Sequence, residues 1–518
     1  MTRTLQWAGL VLAGVLLLLW PAIYNGYPLA YSDTGGYLEG GFSLKPLPDR
    51  SMAYGLFMRV TSLGVSLWGV VAAQAVLLVY LITRTAQAFV AGIRPLGVLR
   101  IIAGVALLTP ASWYASLLLM DVFTPILLLS AALFVFGRHP NWERGLLAAL
   151  AVASVATHTA NPVLSLLPLG VSSAVLWWRG RTIPEFKEWG RRLVIMAVLT
   201  VCAMAGMMSV NRVAFGRFAL NPSSHMFMMA RLSETPLLKA YLERTCDQEH
   251  WAVCKARPEL PYESAQYFLW NPAATVASID WQQATPEYDR IIRDILTEPS
   301  GLRFFTWDCL TRGARLLVSL RLTAFDPELG ASAATLSIQR LFPHEAPAYL
   351  AARQFNDALG IRAGLEWIQL VCFLAATGWL VRSLARGLGR AGLQMVVFLC
   401  AGVIVNAFVM AGLSAVDGRY QARVAWLIVL LALVVHRVPD GRHGRSTSAN
   451  TVRGDRGAAL EALSRSIVGR RVRRLNSRCD RNRVGSRLSR GRHVDQAVLH
   501  KRRRLAKMRG LLPRVRDA

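Results

Sequence analysis

The sequence predicts an all-α polytopic membrane protein of about ten transmembrane helices with a small α-rich extracytoplasmic insert. Three observations lead there. The 518-residue chain is 53% hydrophobic and only 17% charged, less charge than a soluble domain carries. Its apolar residues gather in runs near the ~20 residues that cross a bilayer. These runs are continuous, whereas barrel strands alternate, and a helix satisfies its own backbone groups in lipid.

The runs follow in order. Gln6 to Tyr24 comes first; a basic start at Arg3 makes a signal peptide the alternative, but no small-residue cleavage site follows, so it reads as an uncleaved span. Gly64 to Thr83, Ile101 to Leu118, Val122 to Gly137, Gly145 to Thr157, Pro162 to Trp178 and Leu193 to Val210 complete an N-terminal bundle over residues 1–210. Leu365 to Val381, Leu393 to Leu413 and Val424 to His436 form a second group over 362–436. Basic residues set the orientation. Loops at Arg84, Arg94 and Arg100, at Arg138 and Arg144, at Arg179 to Arg192, and at Arg382 to Arg390 are arginine-rich and therefore cytoplasmic, with both termini on that side. The first loop (25–63), the Asp121 segment, the His158 turn, the 211–361 insert and the Asp417 turn then share the outer side. No internal repeat of the kind found in many transporters stands out.

In the insert, helical stretches are broken by prolines. Cys246 and Cys254 frame a short loop that can close as a disulfide outside the cytoplasm; a metal site through His250 is the rival, but its spacing matches no common zinc pattern. From residue 437 to 518 the chain changes character, with 24 Lys and Arg against 6 Asp and Glu. It is too poor in apolar residues to bury a core and reads as a disordered cytoplasmic tail. Attraction to anionic membrane lipids is one role for it, and no role is the other. Nucleic acid is not among the expected partners, because the chain offers no aromatic platform or binding fold for it.

Polar groups between the spans carry the chemistry. Asp33, in Tyr31-Ser32-Asp33-Thr34-Gly35-Gly36, lies just beyond the first span, where a carboxylate can take a proton without sitting at the bilayer centre. Capping a short helix is its structural alternative. Arg50 heads an interfacial helix and has the planar fork that suits a phosphate. Asp121 interrupts a long apolar run, as a substrate contact or as the cap of the next span. His158 and Asn161 break another run and are further substrate-binding candidates. Arg419 and Tyr420 precede the last span, and Arg419 and Arg423, four apart, share a helical face. Outward arginines run against the positive-inside trend, and an anionic ligand would account for them.

This pattern resembles the C-type glycosyltransferase superfamily, multi-span enzymes that use polyprenyl-phosphate-linked sugars, and is similar to its protein-mannosyltransferase and aminoarabinose-transferase groups. The Asp33 loop with its interfacial helix, Asp121, the outward insert and Arg419-Tyr420 carry the resemblance. It implies sugar transfer from a polyprenyl-phosphate donor to a glycan, lipid or protein acceptor outside the cytoplasm, in a bacterial inner membrane. Asp33 would be the catalytic base, Arg419 with Arg50 the phosphate contact, and Asp121 a second acid near the donor or a metal. Where many relatives have an acidic pair, this chain has Ser-Asp-Thr, which leaves a divalent cation open as cofactor. A lipid-linked glycan ligase, polymerase or flippase is the runner-up. A secondary transporter is the next, with Asn406 as the main polar interruption deep in a span.

Overall fold

The computed structural model describes residues 3–180, 185–322, 325–326, 332–414 and 416–435. The loop at Arg181, expected to be cytoplasmic, the end of the last apolar run at His436 and the basic tail from Arg437 onward lie outside the described residues. Among those described, the chain is helical throughout and contains no strand, only isolated bridges such as Leu29 with Leu117.

Among the described residues, six helices are long and apolar enough to cross a membrane: Trp68–Phe89, Asn161–Trp178, Phe186–Phe215, Gly364–Arg386, Arg390–Leu413 and Gly418–Val435. The protein is an α-helical membrane protein. Other runs expected to span form shorter helices, Arg3–Leu18, Pro95–Leu108, Phe123–Phe136 and Asn141–Thr157. Fourteen residues of helix, as in Pro95–Leu108, rise about 21 Å, short of a ~30 Å hydrocarbon core. The reason is local: the apolar run ending at Leu118 breaks at Thr109-Pro110 and continues as the five-residue helix Ala111–Ala115. Extended backbone follows and binds the first loop, with the Leu29 N–H donating to Ser116 O at 2.9 Å and the Leu118 N–H to Leu29 O at 2.8 Å.

Two helices of the first loop, Ser32–Ser43 and Met52–Ser62, cross at almost backbone contact. Glycines permit it: a Cβ on Gly41 would stand 2.2 Å from Gly55 O, and one on Gly55 would stand 2.4 Å from Tyr37 O. Gly35 plays the same part toward the Ala333–Leu341 helix, since a Cβ there would stand 2.2 Å from Ala333 O. Gly35 thus admits a helix, and Gly36 makes room for the Arg50 guanidinium.

The insert divides into two parts. From Met226 to Ile295 it has its own core, and Cys246 and Cys254 are joined there as a disulfide. Residues from Leu322 to Leu359 belong instead to the main core of the bundle. Glu345 accepts from Tyr27 Oη at 2.7 Å and Ser66 Oγ at 2.6 Å, and the Gln354 amide pairs with both the N–H and the carbonyl of Ala30. The second half of the insert thereby braces the first loop.

A clamp holds the first half down. Arg231 is fully buried and donates from Nε to Ala411 O at 2.8 Å, on the Arg390–Leu413 helix. It also pairs with Asp308 and with Glu234, and Arg312 joins both of those carboxylates.

Gly55→Leu should lower the melting temperature of the purified chain in detergent, because forced overpacking costs about 1–3 kcal/mol. Gly145→Ala, at a helical site with open space around it, should change it little.

Candidate functional site

The Ser32–Ser43 helix begins with Tyr31 at its N-terminal boundary, and the oxygen that accepts the Tyr31 N–H is Thr34 Oγ1, at 3.0 Å. Thr34 Oγ1 in turn donates to Leu118 O at 2.8 Å. Capping is therefore done by Thr34, and the Asp33 carboxylate is left for other work.

That carboxylate lies between two guanidinium groups. Arg50 Nη1 stands 3.3 Å from Asp33 Oδ1 and donates to Asp33 O at 3.0 Å. Arg419 Nη2 stands 3.9 Å from Asp33 Oδ2. Asp49 fixes the other edge of Arg50, accepting from its Nε at 3.0 Å and its Nη2 at 2.6 Å. Ser51 caps the Met52–Ser62 helix and donates to Ala156 O at 2.5 Å, which ties this loop to the end of the Asn141–Thr157 helix beside His158.

Arg419 is buried, and it lies 4.4 Å above the Tyr31 ring and 4.7 Å above the Tyr420 ring. Nη2 donates to Tyr420 Oη at 2.9 Å, and Nε is 3.6 Å from Asp417 Oδ2. Nη1 is buried with no hydrogen-bond partner. A guanidinium desolvated between aromatic faces, with a donor unused, is a ready anion contact. Arg423, one turn on, behaves differently. Its Nη1 donates to Asp121 Oδ1 at 2.5 Å and its Nη2 to Asn406 Oδ1 at 3.1 Å, with both ion-pair side chains fully buried. The Asn406 amide donates onward to Tyr420 O at 2.7 Å and Gln421 Oε1 at 3.1 Å.

Asp33, Arg50, His158, Arg419 and Tyr420 all line one cavity of about 690 Å³ at one end of the bundle, a size suited to a ligand. His158 Nδ1 accepts the Ala160 N–H at 3.0 Å, so its ring proton belongs on Nε2. Burial, with Arg423 and Arg419 nearby, holds this imidazole well below the usual histidine range, hence neutral. Burial likewise pushes the Tyr31 phenol up to about 12, although Arg419 opposes the shift.

Two expected site residues do not reach the cavity. Asp121 sits behind the wall, where an apolar surrounding demands a partner for its charge, and that partner is Arg423; its neighbour Met120 lines the cavity instead. Asn161 is also buried: its Oδ1 accepts from Thr124 Oγ1 at 3.0 Å and its Nδ2 donates to Ser154 O at 2.7 Å, joining three helices. Asn406 is engaged in the Arg423 network. As for metals, among the described residues no group of three or more His, Cys, Asp or Glu is placed to hold one, and Asp33 and Asp49 both face Arg50 already.

Other walls were not foreseen. Met410, Leu413 and Ser414 close the bundle side, and Phe227, Gln266, Leu269 and Trp270 come from the insert. The spacing Arg231-Leu232-Ser233-Glu234, a pair three apart, was the legible hint that the insert carries a buried ion cluster. The arrangement as a whole offers a partly exposed carboxylate able to accept a proton, beside two cations able to hold an anion. No family of known proteins, no curated protein sequence and no solved structure matches this chain.

Asp121→Asn should destabilise the chain by about 3–5 kcal/mol, because it strands Arg423 uncompensated in an apolar interior. Pairing it with Arg423→Met should recover much of that loss in a thermal melt. An unchanged melt for the single variant would contradict the buried-pair assignment.

Proposed function

We propose that this chain is a membrane glycosyltransferase that moves a sugar from a polyprenyl-phosphate donor to an acceptor at the extracytoplasmic face. The observation that carries this reading is the Asp33 carboxylate held between Arg50 and Arg419, all three lining one cavity. The donor phosphate takes the Arg419 and Arg50 guanidinium groups and draws both from the carboxylate. Asp33 is then released as general base.

In the transfer, an acceptor hydroxyl gives its proton to Asp33, and its oxygen attacks the anomeric carbon from the face opposite the phosphate. A carbon–oxygen bond forms as the bond from the anomeric carbon to the phosphate oxygen breaks. The departing electron pair stays on the lipid phosphate, where Arg419 and Arg50 stabilise the growing charge. Configuration at the sugar inverts. The products are the glycosylated acceptor and polyprenyl phosphate, with the proton on Asp33. His158, neutral and donating through Nε2, binds a sugar or phosphate oxygen in this mechanism. Met120, Met410 and Leu413 form the apolar side from which the lipid chain enters.

This reading takes the ten apolar helices as ten spans, the shorter ones being completed by flanking segments such as Ala111–Ala115. It sets both termini in the cytoplasm of a bacterial cell and the cavity on the outer side of the inner membrane. The acceptor is a glycan, lipid or protein. Arg50 and Arg419 supply the positive charge in this mechanism, and a divalent cation at Asp33 and Asp49 would first have to displace Arg50. Asn406 and Asp121 belong to a closed hydrogen-bonded network, which weighs against a transport path through them.

Asp33→Asn should cut transfer by about 10²- to 10⁴-fold, the range of general-base catalysis, with membrane abundance and melting temperature unchanged. The check is the glycan profile of a deletion strain carrying the variant. Full activity in both Asp33→Asn and Asp33→Ala would refute the proposal.

A further inference from the structure

The insert wall of the cavity takes no part in the transfer chemistry above, and its character differs from the rest. Gln266, Leu269 and Trp270 stand three and four residues apart on the short helix Ala265–Trp270, so they share one face. Phe227 joins them from the Ser224–Ser233 helix. Trp270 is large and apolar, yet it is 50% exposed. Its ring lies 5.4 Å from that of Trp281, which lies 6.3 Å from that of Phe227. Trp281 does not line the cavity, and it backs both aromatics that do.

This wall is also held in register with the opposite one. The Ala265 N–H donates to Glu234 Oε1 at 2.6 Å, Glu234 pairs with the buried Arg231, and Arg231 donates to Ala411 O, next to the cavity-lining Met410. The spacing between the aromatic face and the arginine side is therefore set by hydrogen bonds to buried groups.

Consider what such a wall would bind. Among the described lining residues the cations are Arg50 and Arg419, so a second phosphate would meet no charge at the insert. A plain hydrocarbon would leave the Gln266 amide without a partner. A ring with C–H groups on one face and hydroxyls at its edge satisfies both the aromatic surface and the amide, and a pyranose is such a ring. Resting on the transferase reading, we infer that Trp270, with Phe227 and Gln266, forms the sugar-ring subsite of the donor and discriminates glycosylated from bare lipid phosphate.

The test uses the full chain in lipid nanodiscs and titration calorimetry with three probes: farnesyl phosphate, farnesyl phosphoglucose and farnesyl phosphomannose. One hexose-bearing probe should bind the native chain about tenfold more tightly than farnesyl phosphate, on the scale of one aromatic contact. Trp270→Ala should erase that gain and leave farnesyl phosphate binding unchanged, while Trp270→Tyr should keep most of it. Two results would overturn the subsite: equal binding of bare and hexose-bearing probes, or a gain that survives Trp270→Ala. Either one, with Arg419→Ala still abolishing farnesyl phosphate binding, would remove the subsite alone and leave the phosphate site standing. Failure of all three probes to bind the native chain would overturn both proposals.

Discussion

The Asp121–Arg423 pair, fully buried at the heart of the bundle, is the contact on which the rest depends. A lone charge there would cost several kcal/mol, and a well-made pair removes most of that cost. Asp121 lies at the start of the Phe123–Phe136 helix and Arg423 one turn into the last helix, so the pair fixes these two elements against each other. It also separates two arginines that the sequence presents as equals. With Arg423 neutralised by Asp121 and bonded to Asn406, Arg419 is the cation of the last helix that faces the cavity. Tyr114 Oη secures the backbone at that point by donating to Arg419 O at 2.6 Å.

From this anchor the cavity is assembled by three further constraints, each a different kind of interaction. Glycine-to-backbone contact brings Ser32–Ser43 and Met52–Ser62 together, which places Asp33 and Arg50 side by side. Hydrogen bonds from Glu345 and Gln354 hold the first loop from the far side. The Arg231 cluster sets the insert over the open end. A rigid surround of this kind matters for acid–base chemistry, because a misplaced base or cation forfeits much of its effect.

Much of this was legible in the sequence, and the failures have physical causes. The helical membrane class followed from continuous apolar runs, and the Asp33–Arg50 neighbourhood from two residues in one loop. Joint placement of Asp33, Arg50, His158, Arg419 and Tyr420 followed from topology, since ends of alternating helices meet on one side. The true partner of Asp121 was hidden because it lies 302 positions away, and one sequence carries no sign of so distant a pairing. Asn161 was misread because an amide joining three helices looks the same in sequence as one facing a ligand. The insert was read as one unit because prolines mark its breaks without saying that its second half packs with the first loop. The expected span ending at Leu118 is short because Thr109-Pro110 stops the helix before the apolar run ends.

A structure of the full chain in a nanodisc with farnesyl phosphate bound, solved by electron microscopy, would test the central claim most directly. The account predicts the phosphate within hydrogen-bond distance of the Arg419 guanidinium, the farnesyl chain leaving past Met120 and Met410, and Asp33 on the opposite side of the headgroup with its ion pair to Arg419 opened. A headgroup bound away from Arg419, or Asp33 and Arg419 opening onto separate surfaces, would contradict it.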